Sequence, residues 1–245
     1  MELDQHMPSW SRLMEARLTE SPWLPGTLLG RLDEPTRRAF LALGVPRTAA
    51  ASRVILEEGA EESHVVLLQD ALTKVTVAMP DGRHALLDVR VSGDLIGEIS
   101  ALNGTPRSAT VTTCRQSTVR IIHRNDFRAF LRGHPIAAME IAGIVADRLR
   151  LANRRRVDFA SYPVKVRLAR VLWEIAAAYG HRERDGIVVD IQLTQSELAT
   201  MCGAAEITLQ KALRELRASE VISTGYRQVI VRDSPALRAY ADVRE

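Results

Sequence analysis

Cysteine is scarce. The 245 residues hold two, Cys114 and Cys202, far apart and without metal-ligand spacing. That excludes a disulfide scaffold and a cysteine-built metal site, so no metal is expected. Both thiols suit a reducing cytoplasm, as small apolar filler. No uninterrupted apolar run reaches the ~18 residues of a membrane span, so no membrane partner is expected. No charged-then-apolar opening with a small-residue cleavage site is seen, which argues against secretion. A catalytic constellation is missing too. His64, His84, His123, His134 and His181 fall into no recognisable pattern with a nucleophile, and the chain is read as not an enzyme.

Charge is present but uneven. Residues 1–135 hold 16 Lys+Arg and 16 Asp+Glu, whereas residues 136–245 hold 17 and 14, which is the whole surplus of +3. This asymmetry points to an anionic partner for the C-terminal half.

The densest chemistry lies in Gly97-Glu98-Ile99-Ser100-Ala101-Leu102-Asn103-Gly104-Thr105-Pro106-Arg107-Ser108-Ala109. Glu98 can accept from a ribose hydroxyl. Arg107 and Ser108 can donate to a phosphate anion. Gly97 lets the backbone approach a sugar closely. The plain alternative is a helical turn with a surface Glu–Arg pair.

Around it the apolar period is that of short strands: Val54–Leu56, Val65–Leu68, Lys74–Met79, Ala85–Val89 and Val119–Ile122. Glu58-Gly59, Pro80-Asp81-Gly82 and Ser92-Gly93-Asp94 read as turns between them. This spacing makes a small antiparallel barrel or roll. Before it, Leu32–Leu43 reads as a helix opened by Asp33-Glu34-Pro35, and residues 1–25 as a Pro-broken lead-in.

A long helix is expected from Ile136 to about Phe159. Ala138, Ala142, Val145, Leu149 and Ala152 advance in alternating steps of four and three, a coiled-coil seam. Ile141, Ile144 and Leu151 form a second stripe that can pack on the roll. Two stripes call for two partners: the chain's own domain and the same helix of a second subunit. The alternative is one helix buried within a single domain. Arg154-Arg155-Arg156 are expected to end the helix, suiting its dipole or a phosphate, and Ser161-Tyr162-Pro163 to form a hinge.

Beyond the hinge, Val164–Tyr179 is amphipathic and ends at Gly180. Ile187–Val189 and Ile191–Leu193 suggest a hairpin or extended segment. Thr194 and Glu197 form a capping box, with Leu193 and Leu198 as its staple. Cys202-Gly203 makes a turn, and a second helix follows from about Ala205 to Ser219. Val221–Ser223 and Gln228–Val231 give a two-stranded wing. Together these make a winged helix-turn-helix, against the alternative of a generic helical hairpin. The second helix would enter a major groove. There Glu206 could accept from cytosine, Gln210 read adenine, and Lys211 or Arg214 meet guanine or phosphate. Thr208 is expected on phosphate, and Arg227 of the wing on the DNA backbone.

The Gly97–Ala109 segment resembles the phosphate-binding cassette of cyclic-nucleotide-binding domains, and this cassette, the roll, the long helix and the winged domain follow the order of the cyclic AMP receptor protein (CRP/FNR) family, which this chain resembles over roughly residues 30–232. The resemblance implies an α+β protein: a lead-in over 1–25, a cyclic-nucleotide-binding β-roll over 26–134, a dimerisation helix and hinge over 135–160, and a DNA-binding winged domain over 161–245. It implies a cytoplasmic homodimer that binds a pseudo-palindromic double-stranded DNA site, with RNA polymerase as a further partner. Its effector would be a cyclic nucleotide, cyclic AMP first and cyclic GMP second. Gly97 and Glu98 would hold the ribose, Arg107 and Ser108 the phosphate.

The chain departs from the family at three places. Ala152 and Asn153 stand where the best-known members carry a Thr-Ser or Thr-Asn pair against adenine, leaving Asn153 to read the base. Asp88 and Arg90 fall on the strand lining the base end. Ala205-Glu206-Ile207 replaces a serine cap and an Arg-Glu pair that reads TGTGA, so a different half-site is expected. The haem and iron–sulfur sensing of other branches is disfavoured: no N-terminal cysteine cluster exists, and His84 stands alone on its strand. Two competing readings remain: the same fold binding DNA constitutively, and a nucleotide-binding module that contacts protein.

Overall fold

The computed structural model describes residues 23–242. The lead-in expected over 1–25 lies almost wholly outside them. The described residues fall into two compact units, 23–150 and 151–242. The boundary lies inside one continuous helix.

The first unit opens with helices α1 (Leu28–Arg31) and α2 (Glu34–Leu41). The helix expected from Leu32 starts later, because Asp33 is its cap. The Asp33 carboxylate accepts from the Thr36 N–H at 3.0 Å, and Pro35 occupies the first turn. Eight strands follow: β1 (Val45–Ala49), β2 (Val54–Leu56), β3 (Val65–Asp70), β4 (Leu72–Ala78), β5 (His84–Val91), β6 (Leu95–Ile96), then, after helix α3 (Glu98–Asn103), β7 (Thr110–Thr113) and β8 (Ser117–Ile122). They form two antiparallel sheets, ordered β1-β8-β3-β6 and β2-β7-β4-β5. This is the expected roll.

Strand β3 organises the core through its period of two. Val66 and Leu68 join Leu56, Val111 and Val119 between the sheets. Val65 and Leu67 face the other way, with Leu28, Phe40 and Ile122. Helix α4 (Arg124–Gly133) and the start of α5 (Pro135–Ser161) close that second core with Phe127, Phe130, Ala137, Ile141 and Ile144. Ile141 and Ile144 of the expected stripe thus pack on the roll, whereas Leu151 takes no part in that core and falls in the second unit.

Five elements of this unit had no counterpart in the sequence reading, the single-turn α1 among them. Strand β1 is exposed at four of five positions and contains Pro46, as suits an edge. Strand β6 has two residues, and β7 is three-quarters threonine. Helix α4 presents only Phe127 and Phe130 fully to the core, too short a stripe to stand out.

Helix α5 is 27 residues long. It bends by 113° from α4 across His134. Arg154-Arg155-Arg156 do not end it, which corrects that expectation. The helix runs on to Ser161, so the run lies before the last turn and the dipole explanation falls. Arg155 instead pairs with Glu174 at 3.5 Å. No single helix among the described residues is long and apolar enough to cross a membrane.

The second unit continues with α6 (Val164–Tyr179), β9 (His181–Glu183), β10 (Gly186–Val189), α7 (Gln195–Met201), α8 (Glu206–Ala218), β11 (Ile222–Gly225), β12 (Gln228–Val231) and α9 (Ser234–Tyr240). Leu168, Val171, Leu172 and Ile175 of α6 are buried as the pattern requires. The wing is broader than expected: β11 and β12 extend through β10 to β9 in one four-stranded antiparallel sheet. Ile191–Leu193 forms no strand, correcting the extended reading. Its apolar residues are buried, and Gln192 adopts a positive φ of 55° that breaks any ladder.

Candidate functional site

The cassette is built around Gly97, which caps α3 in the left-handed region at φ 79°. A Cβ there would lie 2.4 Å from Arg107 Nη1 and 3.0 Å from the His64 carbonyl. Both backbone angle and space therefore demand glycine. Arg107 is buried, and its Nη1 donates to the Gly97 carbonyl at 3.1 Å and its Nη2 to the His64 carbonyl at 2.6 Å. Its Nε is buried with no hydrogen-bond partner among the described residues. Backbone bonds Arg107 N–H to Ala60 O (2.8 Å) and Gly59 N–H to Arg107 O (2.9 Å) hold the 57–60 turn against it.

This arrangement fits a small anion. A buried guanidinium wants a counter-charge, and burial alone pulls its pKa down, opposed by Glu62 and Glu98. An incoming phosphate could accept from the Nε–H together with the adjacent free hydrogen of one terminal nitrogen. The Ser108 side chain, exposed beside it, adds a hydroxyl donor.

Glu98 is buried at the N-terminus of α3, and Arg148 of α5 reaches it with Nη1 at 2.5 Å from Oε1. Arg148 Nη2 also donates to the Leu95 carbonyl at 3.3 Å and stands 3.8 Å from Asp94. Burial pushes the Asp94 carboxyl up, while Arg90, Arg148 and the Val91 N–H pull it back. Asp88 pairs with Arg90 at 2.6 Å and accepts from the Val89 N–H at 2.8 Å. Charge thus alternates along Asp88, Arg90, Asp94, Arg148 and Glu98, from strand β5 to the cassette. Sequence reasoning singled out Asp88 and Glu98 but missed Arg148. Nothing local marks an arginine whose partner is fifty residues away. Ala152 and Asn153 are exposed on α5, within the second unit.

Along α5, Ala142, Leu149 and Ala152 are exposed, and Val145 and Ala138 are half-buried. Leu149 is 61% exposed, flanked by Met139 at 74% and Val157 at 60%. This apolar row has no cover among the described residues.

In the second unit the capping box is present. Thr194 Oγ1 accepts from Glu197 N–H at 3.2 Å and Glu197 Oε2 accepts from Thr194 N–H at 2.8 Å. The turn after α7 contains Gly203 at φ 57°, where a Cβ would meet the Phe159 ring at 2.9 Å. Helix α8 has Ala205 at its N-cap, which supplies no side-chain hydrogen bond. Leu209, Ala212, Leu213 and Leu216 face inward. Glu206, Ile207, Thr208, Lys211 and Arg214 are exposed on the other side, with Gln210 half-buried. Arg227, at φ 54°, and Tyr226, 89% exposed, form the wing tip. Cys202 is buried, and burial pushes its thiol up to about 12, as befits apolar filler; Cys114 is only half-buried. Among the described residues, no group of three or more His, Cys, Asp or Glu could hold a metal ion.

A roll with an anion cradle, a long helix and a winged helix-turn-helix define a class: transcription regulators built on a nucleotide-binding domain. Comparisons agree. The cyclic nucleotide-binding domain family model matches residues 46–134, and the Crp-like helix-turn-helix domain model matches residues 166–240. The CRP-like cAMP-activated global transcriptional regulator of Mycobacterium tuberculosis is 26% identical over 219 residues, covering 84% of this chain and 98% of that protein. The cyclic AMP receptor protein of Thermus thermophilus is 28% identical over 161 residues, covering 65% of this chain and 71% of that protein. The crystal structure of a CRP-family transcriptional regulator, also from Thermus thermophilus, superposes with a TM-score of 0.66 at 25% identity, covering 80% of this chain and 96% of that one. The chain belongs to the CRP/FNR family of transcription regulators.

Proposed function

We propose that this chain is a homodimeric transcription regulator that binds a cyclic nucleotide in its roll and double-stranded DNA through α8 and the wing. One observation carries the reading. The same chain holds a preformed anion cradle, with the buried Nε of Arg107 unpartnered beside Gly97, and a helix exposing Lys211 and Arg214. Arg107 and Ser108 would hold the phosphate, and Glu98 and the Gly97 backbone the ribose. Asn153 and Asp88 are assigned to the base. Cyclic AMP is the first candidate, in keeping with the cAMP-activated Mycobacterium tuberculosis relative; cyclic GMP is the second. Ala142, Val145, Leu149 and Ala152 supply the dimer seam. A two-fold dimer presents its α8 helices to half-sites about 34 Å apart on a pseudo-palindrome. Action in the cytoplasm and contact with RNA polymerase complete the reading.

Constitutive DNA binding is the second reading, and the internal pairing favours it. Glu98 is already matched by Arg148, and Asp88 by Arg90, so a nucleotide must compete with partners in place. Two measurements decide. Calorimetry against cyclic AMP and cyclic GMP reports the ligand. Selection from random DNA, followed by binding at several salt concentrations, reports the site. Nucleotide-enhanced binding to a pseudo-palindrome supports the proposal; unchanged binding supports the constitutive reading. No enriched sequence and no salt dependence would favour a protein-contacting module.

A further inference from the structure

Helix α3 is gripped at its C-terminal end by two arginines that the nucleotide site does not use. Arg124 Nε donates to the Ala101 carbonyl at 2.8 Å. Arg128 Nε donates to the same carbonyl at 3.1 Å, and its Nη2 to the Leu102 carbonyl at 2.6 Å. A helix end leaves its last carbonyls without intrahelical partners. Here the Gly104 N–H satisfies only Ser100, and the arginines satisfy the next two. Both stand on one face of α4, four residues apart. Phe127 and Phe130, on its other side, anchor α4 in the core. The opposite end of α3 carries Glu98, which Arg148 of α5 holds.

Helix α3 is therefore fastened at one end to α4 and at the other to α5, two helices consecutive in the chain. α5 then runs without a break into the second unit, where Phe159 packs against the turn residue Gly203. A ligand at Gly97 and Glu98 acts on the N-terminal end of α3. Helix α3 is only 6 residues long, so a displacement imposed at one end is expected to reach the other. Any shift at that end must either drag α4 through the clamp or break the clamp.

We propose that Arg124 and Arg128 are positioning residues that transmit occupancy of the cassette to the long helix, so that they set the response to nucleotide and not the affinity for it. The inference rests on the function proposed above. A merely structural role, filling the carbonyls of a short helix and complementing its dipole, would lower stability and leave the response intact.

The test uses the full-length chain and its Arg124→Gln/Arg128→Gln variant. Calorimetry measures the Kd for cyclic AMP. Fluorescence anisotropy measures DNA affinity with and without saturating cyclic AMP. The expected result is a nucleotide Kd within about threefold of the unaltered chain, while the ratio of the two DNA affinities falls at least about tenfold, toward one. Arg128→Lys, which keeps a donor at the carbonyls, should retain most of the ratio. If the double variant does not fold, Arg124→Gln alone should show a partial loss of the ratio at unchanged Kd. A variant that folds, binds nucleotide and keeps the unaltered ratio overturns the clamp as transmitter. Failure of the unaltered chain to bind nucleotide, or to change its DNA affinity on binding, overturns the proposed function itself and this inference with it.

Discussion

The Arg148 guanidinium lies 2.5 Å from the Glu98 carboxylate, joining the first residue of the cassette helix to the long helix that follows the roll. The Glu98 side chain is 6% exposed and that of Arg148 22%. Removing the cation leaves a buried carboxylate with its charge uncompensated. Arg148→Met should destabilise the protein by about 2–3 kcal/mol, below the range for a fully buried pair because Arg148 keeps some contact with water. Urea unfolding monitored by circular dichroism checks this. A loss under ~0.5 kcal/mol would mean that the pair contributes little to stability.

Arg107→Ala should cost the phosphate its charge-assisted donors. Such a bond contributes about 1.5–3 kcal/mol, so nucleotide affinity should fall about tenfold or more. Calorimetry that returns an unchanged Kd would move the site away from the cassette.

The seam predicts assembly. Val145→Glu with Leu149→Glu places like charges against each other across a two-fold axis and should yield monomers by light scattering. Leu149 is 61% exposed within the chain, so the monomer itself should stay folded. A dimer that survives both changes would use another surface.

DNA reading follows from exposure along α8. Lys211→Ala should weaken binding. If Lys211 meets phosphate, the loss is uniform across sequences and the salt slope drops by about one; if it reads a base, one position of the site relaxes. Glu206 and Ile207 are exposed at the start of α8. A selection returning TGTGA half-sites would contradict the altered specificity drawn from these two residues.

His64 should make the stability of the fold depend on pH. Burial and the neighbouring Arg107 hold its imidazole below the ordinary value, with His123 adding slightly and Glu62 opposing. The unfolded chain takes up this proton near pH 6.5 and the folded chain only lower, so the unfolded state binds more protons in that window. Stability should therefore fall as pH drops below about 6.5. His64→Gln should flatten that slope, read from urea midpoints at pH 5.5 and 7.5. An unchanged slope would place the acid sensitivity elsewhere.

Much of the fold was legible because its signals are local. The Thr194–Glu197 capping box, the Gly203 turn and the apolar run of β3 act through neighbours in the chain, and each stands where the pattern put it. Gly97, Glu98, Arg107 and Ser108 could be singled out as candidates for the same reason: one short segment carries them all. Where local signals were weak, the reading failed. Strand β1 has no buried stripe, β6 has two residues, and Ile191–Leu193 has a strand's composition but owes its burial to packing.

By itself, then, the sequence determined the succession of roll, long helix and winged helix-turn-helix, and the place of the cassette between strands, since side-chain spacing and turn chemistry decide these within a few residues. Only the tertiary structure decided what the charged groups do there. Arg148 meets Glu98, fifty residues away in the chain, because α5 is brought beside the cassette. Arg124 and Arg128 find the carbonyls of Ala101 and Leu102 because Phe127 and Phe130 seat α4 in the core. Charges pair over long range, and which pairs form depends on which surfaces the apolar core draws together.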